Sequence, residues 1–142
     1  MKVAVCIDNR EPSEKVLDRA VEFADKTNSS LTLIHSVKEN VNNHDQVVKE
    51  SSDKAIDRGK KMLNRYQNRV EESEYNIGVD KELLHSDSST VDTIIEYINR
   101  NNFDYVYIGH RALESEKEKM FGSFAKTVIS HSKSPITVVP NN

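Results

Sequence analysis

Apolar runs and amphipathic stripes alternate along this chain from one end to the other. Val3-Ala4-Val5-Cys6-Ile7 is continuously apolar up to Asp8, the pattern of a strand buried on both faces of a parallel sheet. Pro12 fits the first turn of a following helix, where its missing N–H costs nothing. Val16, Leu17, Ala20, Val21 and Ala24 then recur at helical spacing and form one stripe. Asn28-Ser29-Ser30 breaks that stripe, and Leu31 to Val37 is the second strand. From about Asp45 to Arg69 the sequence is crowded with charge, yet Val48, Ala55, Gly59, Met62, Leu63, Tyr66 and Val70 keep helical spacing. A long helix with a narrow buried stripe and a solvated face is expected there. Tyr75 to Leu84 alternates weakly and reads as a third strand, near an edge because Asp80, Lys81 and Glu82 dilute it.

Ser88-Ser89 precede Val91, Ile94, Ile95 and Ile98, which share a helical face, and Ser89 with Asp92 resembles a capping box. Asn101-Asn102 ends that helix. Tyr105 to Ile108 is the fourth strand, Phe121, Phe124, Ala125, Val128 and Ile129 mark the last helix, and Ile136 to Val139 is a short final strand between Pro135 and Pro140. Strict alternation of strand and helix predicts an α/β fold: a single domain over residues 1–142, with an open five-stranded parallel sheet and helices on both faces.

Composition narrows the function classes. A chain of 142 residues can bury a real core. Its charged fraction of 30% against 36% hydrophobic predicts a well-charged surface, and a net charge of −3 does not favour a nucleic-acid binder. No apolar run approaches the ~20 residues needed to span a bilayer, and the chain opens directly on a strand-like segment, which argues against a signal peptide. The single cysteine, Cys6, cannot form an internal disulfide, and its place in an apolar run predicts a buried thiol. Cytoplasmic location is the expectation.

The candidate chemistry gathers late in the chain. Gly109-His110-Arg111-Ala112 follows the fourth strand, and after nine residues Gly122-Ser123 opens the last helix. Small residues between a strand and a helix start suit an anion, because the helix start offers unpaired N–H groups and the positive end of a dipole. Gly109 lets the backbone pass close to a ribose or phosphate. Gly122 and Ser123 can present N–H groups to phosphate oxygens, the Ser123 hydroxyl adding a donor, and Phe124 follows them. Asp8, at the end of the first strand, can take a ribose hydroxyl, an adenine amine or a cation carried by phosphates. Arg111, Lys117 and Lys119 supply positive charge, while Glu114, Glu116 and Glu118 repel a triphosphate unless they face solvent. Each residue also has an ordinary structural reading: loop geometry for the glycines, an N-cap for Ser123, a turn cap for Asp8. The histidines His35, His44, His85, His110 and His131 show no metal-ligand spacing. Neither a Gly-Lys-Ser/Thr phosphate loop nor a Gly-x-Ser-x-Gly elbow is present. With no nucleophile–base pair evident, an efficient enzyme is not expected.

Taken together, Val5-Cys6-Ile7-Asp8 with Glu11-Pro12-Ser13-Glu14, then Leu33-Ile34-His35, then Ile108 to Val128 closed by Ser134-Pro135-Ile136-Thr137-Val138-Val139, resemble the universal stress protein family over nearly the whole chain. Its ATP-binding branch carries glycine, two residues, glycine, nine residues, then glycine with serine or threonine. Gly109, Gly122 and Ser123 match, and Ala112 stands where the second glycine is expected. The resemblance implies a Rossmann-like, adenine nucleotide α-hydrolase type sheet of order 3-2-1-4-5, with ATP or AMP, with or without Mg2+, bound where strands 1 and 4 diverge. It implies that Ser36 and Val37, just past the second strand, wall an adenine pocket, although the family usually has an apolar residue at the place of Ser36. It also implies a homodimer through Ile136, Thr137, Val138 and Val139, an apolar edge that invites a partner. Two functions follow: a nucleotide-binding stress-response sensor, or a nucleotide-free dimeric interaction module of the same fold, which Ala112 and the acidic loop favour.

Overall fold

The computed structural model describes residues 1–7, 13–39, 46–110 and 122–140, with backbone alone for 46–51. The elements run β1 (Lys2–Cys6), α1 (Glu14–Thr27), β2 (Ser30–Lys38), α2 (Gln46–Glu71), β3 (Val79–Ser86), α3 (Thr90–Asn101), β4 (Tyr105–His110), α4 (Ser123–His131) and β5 (Ile136–Pro140). All strand pairs are parallel and the order is β3-β2-β1-β4-β5, so the expected sheet is the observed one.

Odd and even positions of the strands build two separate cores, because successive side chains leave a strand on opposite faces. On one face Val3, Val5, Leu31 and Leu33 meet Val16, Leu17, Ala20 and Val21 of α1 and Met62, Leu63, Tyr66 and Val70 of α2. On the other, Ala4, Cys6, Ile34, Val106 and Ile108 meet Ile94 and Ile98 of α3 and Ala125 and Val128 of α4. Most of the described residues of the expected stripes are thus buried or half-buried faces of the helices, but Ile129, expected on the stripe of α4, is 43% exposed, and Val48 and Phe121 lie outside the described side chains. Cys6 is buried as expected, and burial pushes its thiol up to about 12.

Helix ends follow the side chains available. Ser89 caps α3 by accepting the Asp92 amide at 3.2 Å, and Asn28 and Asn102 close α1 and α3 with φ of 53° and 52°, conformations that Asn tolerates. The first helical residue of α1 is Glu14 and its N-cap is Ser13; Pro12, expected in the first turn, lies outside the described residues. The buried Ser13 amide donates to the Tyr66 hydroxyl at 3.3 Å, tying the entry of α1 to α2. The third strand is displaced from its expected bounds. It begins at Val79, while Tyr75 and Ile77 pack on the core from the preceding loop. Their alternation reflects that packing and not a ladder. The charged β3 is an edge strand, as expected, and β5 is the other edge.

Candidate functional site

The sheet turns from β2 leftward and β4 rightward on either side of β1, so β1 and β4 are hydrogen-bonded neighbours whose following helices leave on opposite faces. Connections diverging in this way leave a crevice at the carboxyl edge of the sheet. Gly109 lies at that edge in β4, in register with Val139. Asp8, which follows directly on Ile7, lies outside the described residues, as do Arg111 and Ala112.

α4 begins above this edge, and Gly122 takes its N-cap position with φ −66° and ψ 168°. That corrects the reading of Ser123 as an N-cap: it is the first helical residue, exposed, one position further on. The geometry of Gly122 is open to any L-residue, and a Cβ there would meet nothing within 4 Å. Neither conformation nor packing against the described chain therefore requires glycine. The first amides of α4 have no intrahelical partner, as at every helix start. Phe124 is half-buried against the α3/α4 core and fixes the first turn of α4 on the sheet.

Ser36 and Val37 lie within β2, which runs on to Lys38, and not beyond its end. Being consecutive, they leave on opposite faces. Val37 points to α2, where it contacts the site of Gly59; a Cβ on Gly59 would stand 2.9 Å from Leu83 Cδ1, 3.1 Å from His35 Cδ2 and 3.3 Å from Val37 Cγ1. The sequence placed Gly59 in the helical stripe, but its small size is what lets α2 approach the sheet this closely. His35, on the same face and buried, bonds the Ile7 carbonyl through Nδ1 at 2.8 Å. Since a carbonyl only accepts, Nδ1–H is the donor. This bond holds the exit of β1 immediately before Asp8, a role that spacing in the sequence does not reveal.

Ser36 points the other way, to the face of Ile34 and α3. Its hydroxyl and that of Ser86, two places further along in register on β3, are buried without a hydrogen-bond partner. Each such orphan costs about 1–3 kcal/mol, so two of them on one face at one edge call for a cause. His110 ends β4 on this same face and is buried too.

Elsewhere the chemistry is sparse. A groove of about 270 Å³ between α1 and α2 is lined by Leu17, Val21, Val70 and Tyr75, with Arg69 and Asp18 at its rim. Tyr75 stands in the turn leading to the amino end of β3, so the groove lies away from the carboxyl edge, and Arg69 and Asp18 are already paired with each other. Among the described residues no three His, Cys, Asp or Glu side chains gather closely enough to hold a metal ion, and no described helix is long and apolar enough to cross a membrane.

The model of the universal stress protein family matches residues 1–140. Universal stress protein YxiE of Bacillus subtilis (strain 168) is 24% identical over 148 residues, covering 97% of both chains. Among solved structures, universal stress protein UspA from Lactobacillus plantarum superposes with a TM-score of 0.81 at 19% identity, covering 98% of this chain and 97% of that one. The universal stress protein from Archaeoglobus fulgidus in complex with dAMP superposes with a TM-score of 0.71 at 19% identity, covering 97% and 96%.

Proposed function

Since this chain belongs to the universal stress protein family, we propose that it binds an adenine nucleotide, ATP or AMP with or without Mg2+, in the crevice where β1 and β4 diverge, and acts in the cytoplasm as a dimeric stress-response sensor. The observation that carries this reading is Gly122. It caps α4 in an extended conformation with nothing near enough to collide with a Cβ, which leaves the unpartnered amides at the start of α4 open to an anionic group. The dAMP complex of the A. fulgidus relative supports the same ligand class.

In this reading Gly109, Gly122 and Ser123 give backbone approach and N–H groups to phosphate, with Arg111 balancing charge, Ala112 in the connecting loop and Phe124 holding the helix start. Asp8 takes ribose or a phosphate-borne cation. Ser36 stands on the base side, and Val37, on the other face, supports β2 from behind. Bound Mg2+ would supply charge neutralisation to the phosphates. The single domain spans 1–142, and two copies join through the edge strand, Ile136, Thr137, Val138 and Val139.

Calorimetry with ATP and AMP, with and without magnesium, tests the site: saturable binding is expected, and none at millimolar ligand overturns it. Gly122→Arg should abolish binding while leaving the dimer intact by sedimentation. Ala112 at the motif's second glycine favours the nucleotide-free dimeric module, and retained stress function in a dimeric Gly122→Arg protein would select that reading instead.

A further inference from the structure

The groove between α1 and the end of α2 is a feature that the nucleotide reading leaves unused. Its floor is built from Leu17, Val21 and Val70, with Tyr75 as a wall. At about 270 Å³ it falls just below the range of about 300–1,000 Å³ over which pockets enclose a whole small molecule, and it suits a single large side chain. The polar groups of α1 at its rim are already matched. Asp18 holds Arg69, and Glu22 takes Lys26 at 3.1 Å and Arg19 at 3.9 Å. Ser73 is matched too, donating to the Val70 carbonyl at 2.6 Å and accepting the Tyr75 amide at 3.3 Å.

The end of α2 is different. Glu71, Glu72 and Glu74 are exposed and alternate in the chain with Val70, Ser73 and Tyr75 of the groove. Among the described residues none of these three glutamates forms an ion pair or a side-chain hydrogen bond. Their carboxylates therefore gather at the negative end of the dipole of a 26-residue helix, where cations are favoured. The basic residue of the last turn, Arg69, is turned to Asp18. A local rule broken in this way, with no compensation from the chain itself, points to a cation from outside.

We propose that this groove docks a basic segment of a partner protein: one large apolar side chain of the segment seats on Leu17, Val21 and Val70, while lysine or arginine on either side of it meets Glu71, Glu72 and Glu74. The apolar floor supplies the anchor, and the carboxylates select the partner and speed its encounter. The groove lies toward the amino end of β3, away from the carboxyl edge of the sheet. Segment and nucleotide can thus be held at once, and neither reading depends on the other.

The test is a titration of the isotope-labelled full chain, followed by NMR, with the peptides Lys-Arg-X-Arg-Lys in which X is leucine, methionine or phenylalanine. At least one should bind saturably by millimolar concentration, with the largest amide shifts at Leu17, Val21, Val70, Ser73 and Tyr75, and the peptide with serine at X should not saturate. In Glu71→Gln/Glu72→Gln/Glu74→Gln the affinity should fall roughly tenfold, the worth of three exposed ion pairs. The ligand-free variant should melt no lower than wild type, because the carboxylates oppose the helix dipole. No saturable binding by any of the three peptides overturns the proposal, as do shifts centred elsewhere on the surface, equal binding of the serine peptide, or unchanged affinity in the triple variant. A lower melting temperature in that variant also overturns it, because the carboxylates would then serve the fold. Sedimentation should give wild type and triple variant the same oligomeric state; a change would overturn the proposal by assigning the groove to a second copy of this chain.

Discussion

At their carboxyl ends β2 and β3 present two faces of opposite character. Toward α2, His35, Val37 and Leu83 are packed so closely against the helix that a methyl group on Gly59 would stand 2.9 Å from Leu83 Cδ1 and displace it. Toward α3, at the same height, Ser36 and Ser86 carry buried hydroxyls with nothing to bond. One face is filled by the chain itself and ties β1 in place through His35. The other is left chemically incomplete. Packing that closes one side of a sheet edge makes it rigid, and a rigid edge can hold unsatisfied groups in position for something that is not part of the chain.

The comparison breaks most visibly at Gly59. Gly59→Val forces branched carbon atoms into Leu83, His35 and Val37 and should destabilise the protein by about 3 kcal/mol in urea denaturation. Gly59→Ala should cost less, since the gain in helix propensity of about 1 kcal/mol offsets part of the contact. A valine tolerated without loss would mean that this face is no better filled than the other.

His35→Leu comes next. It keeps the volume but removes the donor to the Ile7 carbonyl, with an expected loss of about 2 kcal/mol and weaker nucleotide binding, because the exit of β1 is no longer held. Nucleotide affinity unchanged in a folded His35→Leu protein would separate the filled face from the site.

How much of this was legible in the sequence depends on the range of the interaction. The buried strands, the helical stripes and the sheet order follow from periodicity and alternation, which are local, and from the family motif. The third strand starts later than its pattern suggests because Tyr75 and Ile77 are apolar for the sake of the core and not of a ladder. It also runs past Leu84, where the alternation stops, to Ser86, so the sequence does not mark Ser86 as a strand residue. Ser36 was visible as a serine in a place where the family is usually apolar, but its lack of a partner is a property of everything around it. Gly59 looked like one more position on a helical face; that it marks the close approach of α2 to β2 and β3 is a fact about elements distant in sequence. Gly122 was legible as a motif glycine, whereas the absence of any structural need for it required its dihedral angles.

A pH series sharpens the comparison at Cys6, which lies on the α3/α4 side and has the core of that face around it. Burial raises its thiol from 9.0 to about 12. The folded protein therefore holds the proton more tightly than the unfolded chain. Its contribution is fully present below pH 9 and is lost as pH rises toward 12. At pH 10 the thiol's share of the loss relative to pH 8 should be about 1 kcal/mol, so the loss measured by denaturation at both values should be smaller by that amount in Cys6→Ala, which keeps the contributions of Tyr97 and Tyr107. An equal loss in the variant would show that water reaches the thiol, and that the α3 face is open well below its two serines.

The smallest expected effect is at the rim of the filled face. Arg69 grips Asp18 through Nε at 3.2 Å and Nη2 at 2.9 Å, joining α1 to α2 with both side chains about half exposed. The geometry is bidentate, which favours it over an ordinary surface pair, but water and salt screen both charges. Arg69→Met, which keeps an apolar stem over Val70, should cost no more than about 0.5 kcal/mol and less at 1 M salt. The same two helices are already joined beneath this pair by Leu17, Val21, Leu63 and Tyr66, all of them buried. If charge and not packing held α1 on α2, Arg69→Met would approach Gly59→Val in cost and would do so mainly at low salt. The difference between the two faces would then lie in their surface charges, and the tight seat of Gly59 would be a consequence of the clamp above it.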